Sequence, residues 1–388
     1  MRGQMPDFYE MFAGAGMARA GFGRAWRCLF ANDICATKAE TYRANWGADA
    51  LRLCDVAELA PVDLPGRADA VWASFPCQDL SLAGAAAGLG EAEGARTRSG
   101  AFWPFHALMR GLAAEGRAPR ALALENVTGT LTSRGGRDFA ALAGALAEAG
   151  RVLGALVIDA RLFLPQSRPR LFLLGFDPRE TDLSTLPRSA GPVARWHPPR
   201  LVAAQAALPE AARARWLWLA PPAPPARDAR LADLLEDDPP AALWRPRAET
   251  DRVIAMMSPA NREKLAAAQA SGRRMVGTLY RRMRVDRGRR TQRAEIRFDD
   301  VAGCLRTPAG GSSRQSLLIV EGERVRLRLL SAREAARLMG LDDRFVLPAR
   351  YNDAYRVAGD GVAVPVVRHV VETLIEPALG LGGRRAAA

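Results

Sequence analysis

A cysteine follows a proline at Pro76-Cys77, and the residues before them, Ala68-Asp69-Ala70-Val71-Trp72, form an apolar run. That run reads as a buried strand. Cys77 then falls just past the strand's carboxyl end, the edge where open α/β sheets bind ligands. Pro76 fixes its own φ and biases Phe75 toward an extended shape. A thiol presented there is placed to act as a nucleophile. Taken alone, the Pro-Cys step reads more readily as a small buried thiol, the usual setting of a cysteine outside a disulfide. Other groups shift that balance. Glu125-Asn126-Val127 closes a second apolar run, Ala121-Leu122-Ala123-Leu124, and sets a carboxylate near Cys77 if the two strands are neighbours. Arg168 and Arg170, in Gln166-Ser167-Arg168-Pro169-Arg170, share one side of an extended segment, because side chains alternate with a period of two.

A second group of residues suits a nucleoside. Gly14 and Gly16 form a turn between a first strand and a helix, where glycine lets the backbone approach a ligand closely. Asp33, at the end of a second strand, is placed to accept hydrogen bonds from ribose hydroxyls; the alternative is a helix N-cap. Asp55 repeats the pattern at the next strand–loop boundary. Three such sites in succession argue for a nucleoside-bearing cofactor better than any one does.

The elements that must position these groups alternate. Strands are expected near residues 7–12, 26–31, 68–72, 121–124, 152–159 and 170–176, with helices near 37–46, 102–115 and 139–148. That order implies a doubly wound, mostly parallel α/β sheet covered by helices. Residues 80–99, rich in glycine and alanine, read as a mobile loop. The alternation then stops, with 12 prolines between residues 187 and 246. Ser331 and Glu334 form a Ser-x-x-Glu capping box opening a helix that ends at Gly340. The expected division is a catalytic domain of residues 1–176 plus about 342–388, and a second, irregular domain of about 177–341.

Composition narrows the partners. The net charge of +13 over 388 residues suggests a polyanion. Arginine and alanine are so frequent that base composition of the genome contributes, so clustering matters more than the total. Residues 262–297 hold 12 basic side chains against 3 acidic ones. No apolar run is long enough to cross a bilayer and no signal-peptide pattern is present, so a soluble, cytoplasmic protein is expected. The five cysteines, Cys28, Cys35, Cys54, Cys77 and Cys304, form no C-x-x-C pair. Only three histidines accompany them, so no metal site is expected.

In this order the motifs resemble those of the cytosine-5 DNA methyltransferases over nearly the whole chain. Phe12-Ala13-Gly14-Ala15-Gly16 is similar to that family's cofactor turn, Pro76-Cys77-Gln78 to its nucleophile motif and Glu125-Asn126-Val127 to its acid motif. Gln166-x-Arg168-x-Arg170 matches its arginine motif. Arg328-Leu329-Leu330-Ser331 with Glu334, Arg337-Leu338 and Gly340 matches its late helix, and Gly359-Asp360-Gly361-Val362 the segment that returns to the catalytic domain. The resemblance implies a Rossmann-like methyltransferase fold, S-adenosylmethionine as cofactor and a target-recognition role for the second domain. Phe12, Gly14, Gly16 and Pro76 would border the cofactor, Asp33 would take the ribose hydroxyls and Asp55 the adenine amino group. Ile34 stands where many members have an aromatic, which makes adenine packing aliphatic here. Asp360 replaces the asparagine of most members and is given no catalytic role.

The implied chemistry explains the residue types. Cytosine C5 is a poor nucleophile, and addition of a Cys77 thiolate to C6 turns C5 into an enamine carbon able to take a methyl group. The thiol has an ordinary pKa of about 8.5, so nearby arginine charge helps. Glu125 would serve N3 of the ring, best if kept protonated by burial. Arg168 would hold the base's O2 edge, and Arg170 would help position Cys77 and Glu125. The base must be flipped out of the duplex. Gln78 and Ser81 would touch flipped base or backbone, and Arg306, Thr307 and Arg314 would lie in or beside a recognition loop at residues 307–315. Expected partners are double-stranded DNA and a cognate restriction endonuclease in a bacterium, with the enzyme a monomer. Two other readings stand beside this one: a cytosine-5 RNA methyltransferase on the same scaffold, and a non-catalytic DNA-binding regulator.

Overall fold

Strands that are buried on both faces of a sheet must be apolar nearly throughout, and the runs singled out above behave this way. The structure, a computed structural model, describes residues 5–77, 88–89, 98–286, 288–306 and 314–381. Seven strands, β1 (Asp7–Met11), β2 (Arg27–Asp33), β3 (Leu51–Leu53), β4 (Ala70–Ala73), β5 (Ala121–Val127), β6 (Val152–Asp159) and β7 (Pro169–Phe176), form one sheet in the order β3-β2-β1-β4-β5-β7-β6. β1 to β5 pair in parallel, and β7 inserts antiparallel between β5 and β6. Helices α1 (Met17–Phe22), α2 (Ala36–Trp46), α3 (Phe102–Ala114) and α4 (Arg137–Glu148) connect them. Strand order reverses between β1 and β4, where Met11 lies in register with Ala73. In such sheets the ligand crevice opens at the carboxyl ends on either side of that reversal. Both the glycine turn after β1 and Cys77 after β4 are there.

The chain divides into two compact units. The first comprises Met1–Asp159, Pro169–Pro224 and Val362–Ala388, and the second Ala160–Arg168 and Pro225–Gly361. These boundaries depart from the sequence expectation. Residues 177–224 stay with the first unit because they extend its sheet edge: Leu153 N–H donates to Arg215 C=O and Leu217 N–H to Leu153 C=O, both at 2.7 Å. Strands β8 (Arg188–Ser189) and β9 (Trp218–Leu219) pair there, beside α5 (Pro199–Ala206) and α6 (Glu210–Arg213). Some of the prolines in this stretch sit at helix starts, as Pro198 and Pro199 do for α5 and Pro209 for α6. A missing N–H costs nothing at those positions.

Nor is the second unit irregular. Strands β10 (Met275–Asp286), β11 (Arg289–Arg297), β12 (Ser316–Glu321) and β13 (Arg324–Leu329) make an antiparallel sheet in the order β11-β10-β12-β13. Helices α7 (Arg247–Ala255) and α8 (Pro259–Ala270) bring Val253, Met257, Leu265 and Ala268 into one core with Leu279, Ala294, Ile296, Leu318, Val320 and Leu327. The capping box forms as read: Ser331 Oγ accepts from Glu334 N–H at 3.0 Å, and Ser331 N–H donates to Glu334 Oε2 at 2.8 Å, opening α9 (Ala332–Arg337). Both Glu334 oxygens also take Arg328 Nη1 and Nη2 at 2.7 Å, a bidentate ion pair with both side chains buried. Helix α10 (Tyr351–Asp360) completes this unit. Among the described residues no helix is long and apolar enough to cross a membrane.

Candidate active site

Cys77 sits four residues beyond β4, half-buried. Its approach is held from several sides. Ser74 N–H reaches Met11 C=O at 3.4 Å, Trp72 Nε1–H donates to Ser74 Oγ at 3.0 Å, and Asn126 Nδ2–H donates to Phe75 C=O at 3.1 Å. The last contact joins the ends of adjacent strands, since Ala73 is in register with Leu124. Asn126 cannot turn its amide around, because its Oδ1 accepts from Val127 N–H at 2.9 Å. Sequence reasoning named Asn126 only as part of a motif. Its role is to fix the Phe75-Pro76-Cys77 turn against β5.

Glu125 lies one residue earlier on β5, buried, and meets Arg170 Nε at 3.2 Å. The geometry follows from the antiparallel pairing of β5 with β7. Arg170 stands opposite Val127, and Glu125 is two residues back on the same face, the diagonal reach of a long side chain.

Arg168 behaves differently. Its guanidinium is buried in the second unit, where Nη1 donates to Leu305 C=O at 3.2 Å and Nη2 to Gly359 and Gly361 C=O at 2.9 and 2.7 Å. Gln166 is also buried and donates to Leu338 C=O at 2.6 Å while accepting from Leu305 N–H at 3.3 Å. The first two side chains of Gln-x-Arg-x-Arg therefore clamp backbone carbonyls, and only the third adjoins the acid. Three carbonyls already occupy the terminal nitrogens of Arg168, which counts against its expected place at the O2 edge of a base.

At the other side of the crevice the turn after β1 is strained into place. Phe12 has φ of 58°, unusual outside glycine, and Gly14 and Gly16 have φ of 57° and 79°. A side chain on Gly16 is doubly excluded, since its Cβ would fall 2.3 Å from Trp46 Nε1. Asp33 draws the turn to β2: Gly14 N–H donates to Oδ2 and Cys35 N–H to Oδ1, each at 2.8 Å. Each oxygen keeps acceptor capacity for a ligand hydroxyl. Asn32 Nδ2–H holds Cys54 C=O at 2.9 Å and so positions Asp55, whose Oδ1 accepts from Ala57 N–H at 3.0 Å. Ile34 is 68 % exposed and Leu53 41 %, two apolar side chains left uncovered at paired strand ends.

One residue here escaped sequence reasoning. Glu10, in β1, is 1 % exposed, and its Oε1 accepts from Arg19 N–H at 3.0 Å, in the first turn of α1. Burial pushes its carboxyl up to about 8. In dinucleotide-binding folds those helix amides face a pyrophosphate. Here the protein's own carboxyl group takes them, so the crevice is suited to a nucleoside without phosphate. The available signal was a charged residue between Tyr9 and Met11 in a strand buried along its length.

Gln78, Ser81 and Thr307 lie outside the described residues, as do most of both expected loops. Arg306 is exposed, whereas Arg314 is half-buried, with Nη2 donating to Asn352 at 2.6 Å and its guanidinium 5.5 Å from the Tyr351 ring centre. Arg314 is thus fixed against α10, which counts against its expected contact with DNA. Asp360 is the exposed last residue of α10. A cavity of about 510 Å³ lined by Met109, Leu122, Leu146 and Arg151 lies near the amino ends of β5 and β6, the opposite edge of the sheet from Cys77.

Comparison with known proteins bears on the whole chain. A family model described as C-5 cytosine-specific DNA methylase matches residues 7–376. The type II methyltransferase M.NlaX of Neisseria lactamica is 26% identical over 370 residues, covering 94% of this chain and 95% of that protein. M1.ScrFI of Lactococcus lactis subsp. cremoris, also a type II methyltransferase, is 23% identical, covering 95% of this chain and 77% of that one. In fold the chain is similar to the crystal structure of the S. pombe Dnmt2 methyltransferase, with a TM-score of 0.61 at 17% identity, over 96% of this chain and 99% of the other.

Proposed function

This chain belongs to the C-5 cytosine-specific DNA methylase family, and from that membership we propose that it methylates C5 of a flipped-out cytosine in a specific duplex sequence, with Cys77 as nucleophile and S-adenosylmethionine as methyl donor. The observation that carries the site assignment is the junction of β4 and β5. There Asn126 ties the turn bearing Cys77 to the strand bearing Glu125, and Arg170 holds Glu125 from the far side.

The division of labour follows from where each group sits. The Cys77 thiolate adds to C6 of the base and places electron density on C5 and N3. The Glu125 carboxyl group serves N3, and the Arg170 guanidinium beside it stabilises charge developing on the ring. Arg168 and Gln166 act on the second unit's backbone and not on the base. After methylation the C5 proton leaves to water, and the departing thiolate restores the ring.

S-adenosylmethionine supplies an electrophilic methyl group and carries no phosphate, which suits a turn whose helix amides are taken by Glu10. Asp33 would receive the ribose hydroxyls and Asp55 the adenine amino group. Phe12, Gly14, Gly16 and Pro76 would border the cofactor, with Ile34 against the adenine ring. The second unit, with its basic strands, would recognise the duplex. A restriction endonuclease of the same specificity is the natural companion of such an activity.

Incubation of the purified chain with methyl-labelled cofactor and either duplex DNA or tRNA tests the reading. Label is expected in DNA, as 5-methylcytosine within one short sequence. Label in tRNA alone, or none in either, would contradict it.

A further inference from the structure

Strand β12 pairs with β10 only from Met275 to Leu279, whereas β11 pairs with β10 out to Asp286. Beyond Leu279, β10 and β11 therefore continue as a two-stranded ribbon, with Met256 C=O accepting from Ala294 N–H at 3.2 Å near its root. Cross-strand partners share a face. One face carries Arg282 opposite Arg293 and Arg284 opposite Thr291, with Glu295 at the root. Glu295 takes Arg284 Nε at 2.6 Å and lies 3.6 Å from Arg282 Nε, so it orients both arginines along the ribbon. The other face carries Arg281, then Met283 opposite Gln292 and Val285 opposite Arg290. Met283 is 51 % exposed and Val285 74 %.

Two exposed apolar side chains on a projecting basic ribbon need an occupant that is anionic outside and partly apolar within. Duplex DNA has that composition: phosphates flank a groove floor of base edges and thymine methyl groups. A two-stranded ribbon, with strands about 4.8 Å apart, enters a major groove about 12 Å wide. Six residues beyond Tyr280 extend for about 20 Å, more than the groove's depth of about 8.5 Å.

Resting on the methyltransferase reading above, we propose that this ribbon is the base-reading element, with Met283, Val285 and Gln292 meeting base edges in the major groove and Arg282, Arg284 and Arg293 meeting phosphates. Gln292 suits an adenine edge, and Met283 and Val285 suit thymine methyls. Like-charged Arg282 and Arg293 stand directly opposite each other, an unfavourable placement that a polyanion relieves. The glycine-rich segment at residues 307–315, the other segment expected to read sequence, lies mostly outside the described residues.

The test is methylation of a randomised duplex pool by the full chain, read by bisulfite sequencing. Its variants are Gln292→Ala, Met283→Ser/Val285→Thr, and Arg282→Gln/Arg284→Gln. Gln292→Ala and the apolar-face variant are expected to keep methylating while losing about tenfold discrimination at one or two base pairs of the site. The arginine variant should lower the rate about equally on all sequences and flatten its salt dependence. Discrimination within twofold of wild type at every position, in both Gln292→Ala and the apolar-face variant, overturns the inference while leaving the methyltransferase reading intact. Wild-type protein that methylates no duplex overturns both. Melting temperatures equal to wild type show that the variants are folded.

Discussion

The carboxyl edge of the seven-stranded sheet and the ribbon of the second unit treat charge in opposite ways. At the sheet edge Glu10, Asp33 and Glu125 are buried, and backbone amides or Arg170 hold Oε1 of Glu10, both oxygens of Asp33 and Oε1 of Glu125. On the ribbon, side chains such as Arg282 and Arg284 are about half exposed, with Glu295 as a partly exposed partner. The first arrangement fixes atoms for chemistry, because preorganised groups need not rearrange as charge develops. The second leaves charge to water and salt until a polyanion arrives. The same residue type thus has different consequences when removed, according to which region it occupies.

That contrast can be broken in several places. Cys77→Ala should lower methyl transfer by at least about three orders of magnitude while leaving duplex affinity near wild type, measured by label incorporation and by a binding titration. Equal loss of both would remove the division between edge and ribbon. Within the second unit, Arg328→Ala strands the buried Glu334 and should cost about 3–5 kcal/mol, seen as a large drop in melting temperature. Arg170→Ala should cut kcat about a hundredfold with the substrate KM little changed, since it acts through Glu125 and the developing charge. A rise in KM alone would assign Arg170 to binding.

Glu10 supplies the pH test. Its carboxyl is raised from 4.5 to about 8 by burial, so the folded state holds a proton that the unfolded chain releases. Stability is therefore greatest below the unfolded value and declines as pH rises toward 8, by at most about 1.4 kcal/mol per pH unit, then levels off. Melting curves between pH 5 and 9 should show that decline, and Glu10→Gln, which still accepts from Arg19, should flatten it. A wild-type profile that rises over this range contradicts the assignment. The smallest effect belongs to the ribbon: Arg284→Ala, losing one exposed ion pair, should change stability by less than about 1 kcal/mol.

What could be read from residues alone follows the same division. Strands β4 and β5 were legible because each is built on an unbroken apolar run, Ala70-Val71-Trp72-Ala73 and Ala121-Leu122-Ala123-Leu124, and their pairing meets the condition that brings Glu125 near Cys77. Ser331 and Glu334 were legible as a cap because the motif is local. The place of Arg168 was not, although it was named, whereas Arg170 does lie beside Glu125. Two residues apart on an extended chain, they should point the same way, but the chain passes between units at Pro169, and carbonyls from residues 305, 359 and 361 capture the first arginine. The ribbon appeared only as a basic run. Its alternation of Arg282 and Arg284 with Met283 and Val285 becomes informative once the partner strand's register is known. Residues 177–224 are expected in the second domain because the strand–helix alternation stops, yet they group with the first unit through the hydrogen bonds that Leu153 makes to Arg215 and Leu217.

The proposed mechanism requires a covalent bond between Cys77 and the target base, and that bond can be trapped. A duplex containing the recognition sequence with fluorine in place of hydrogen at C5 of the target cytosine blocks the last step, because the ring cannot release fluorine as a cation. Intact-mass analysis followed by peptide mapping should find a DNA adduct on the peptide bearing Cys77, formed only with S-adenosylmethionine present and absent from Cys77→Ala. An adduct on another residue, or undiminished methyl transfer by Cys77→Ala, would contradict the mechanism.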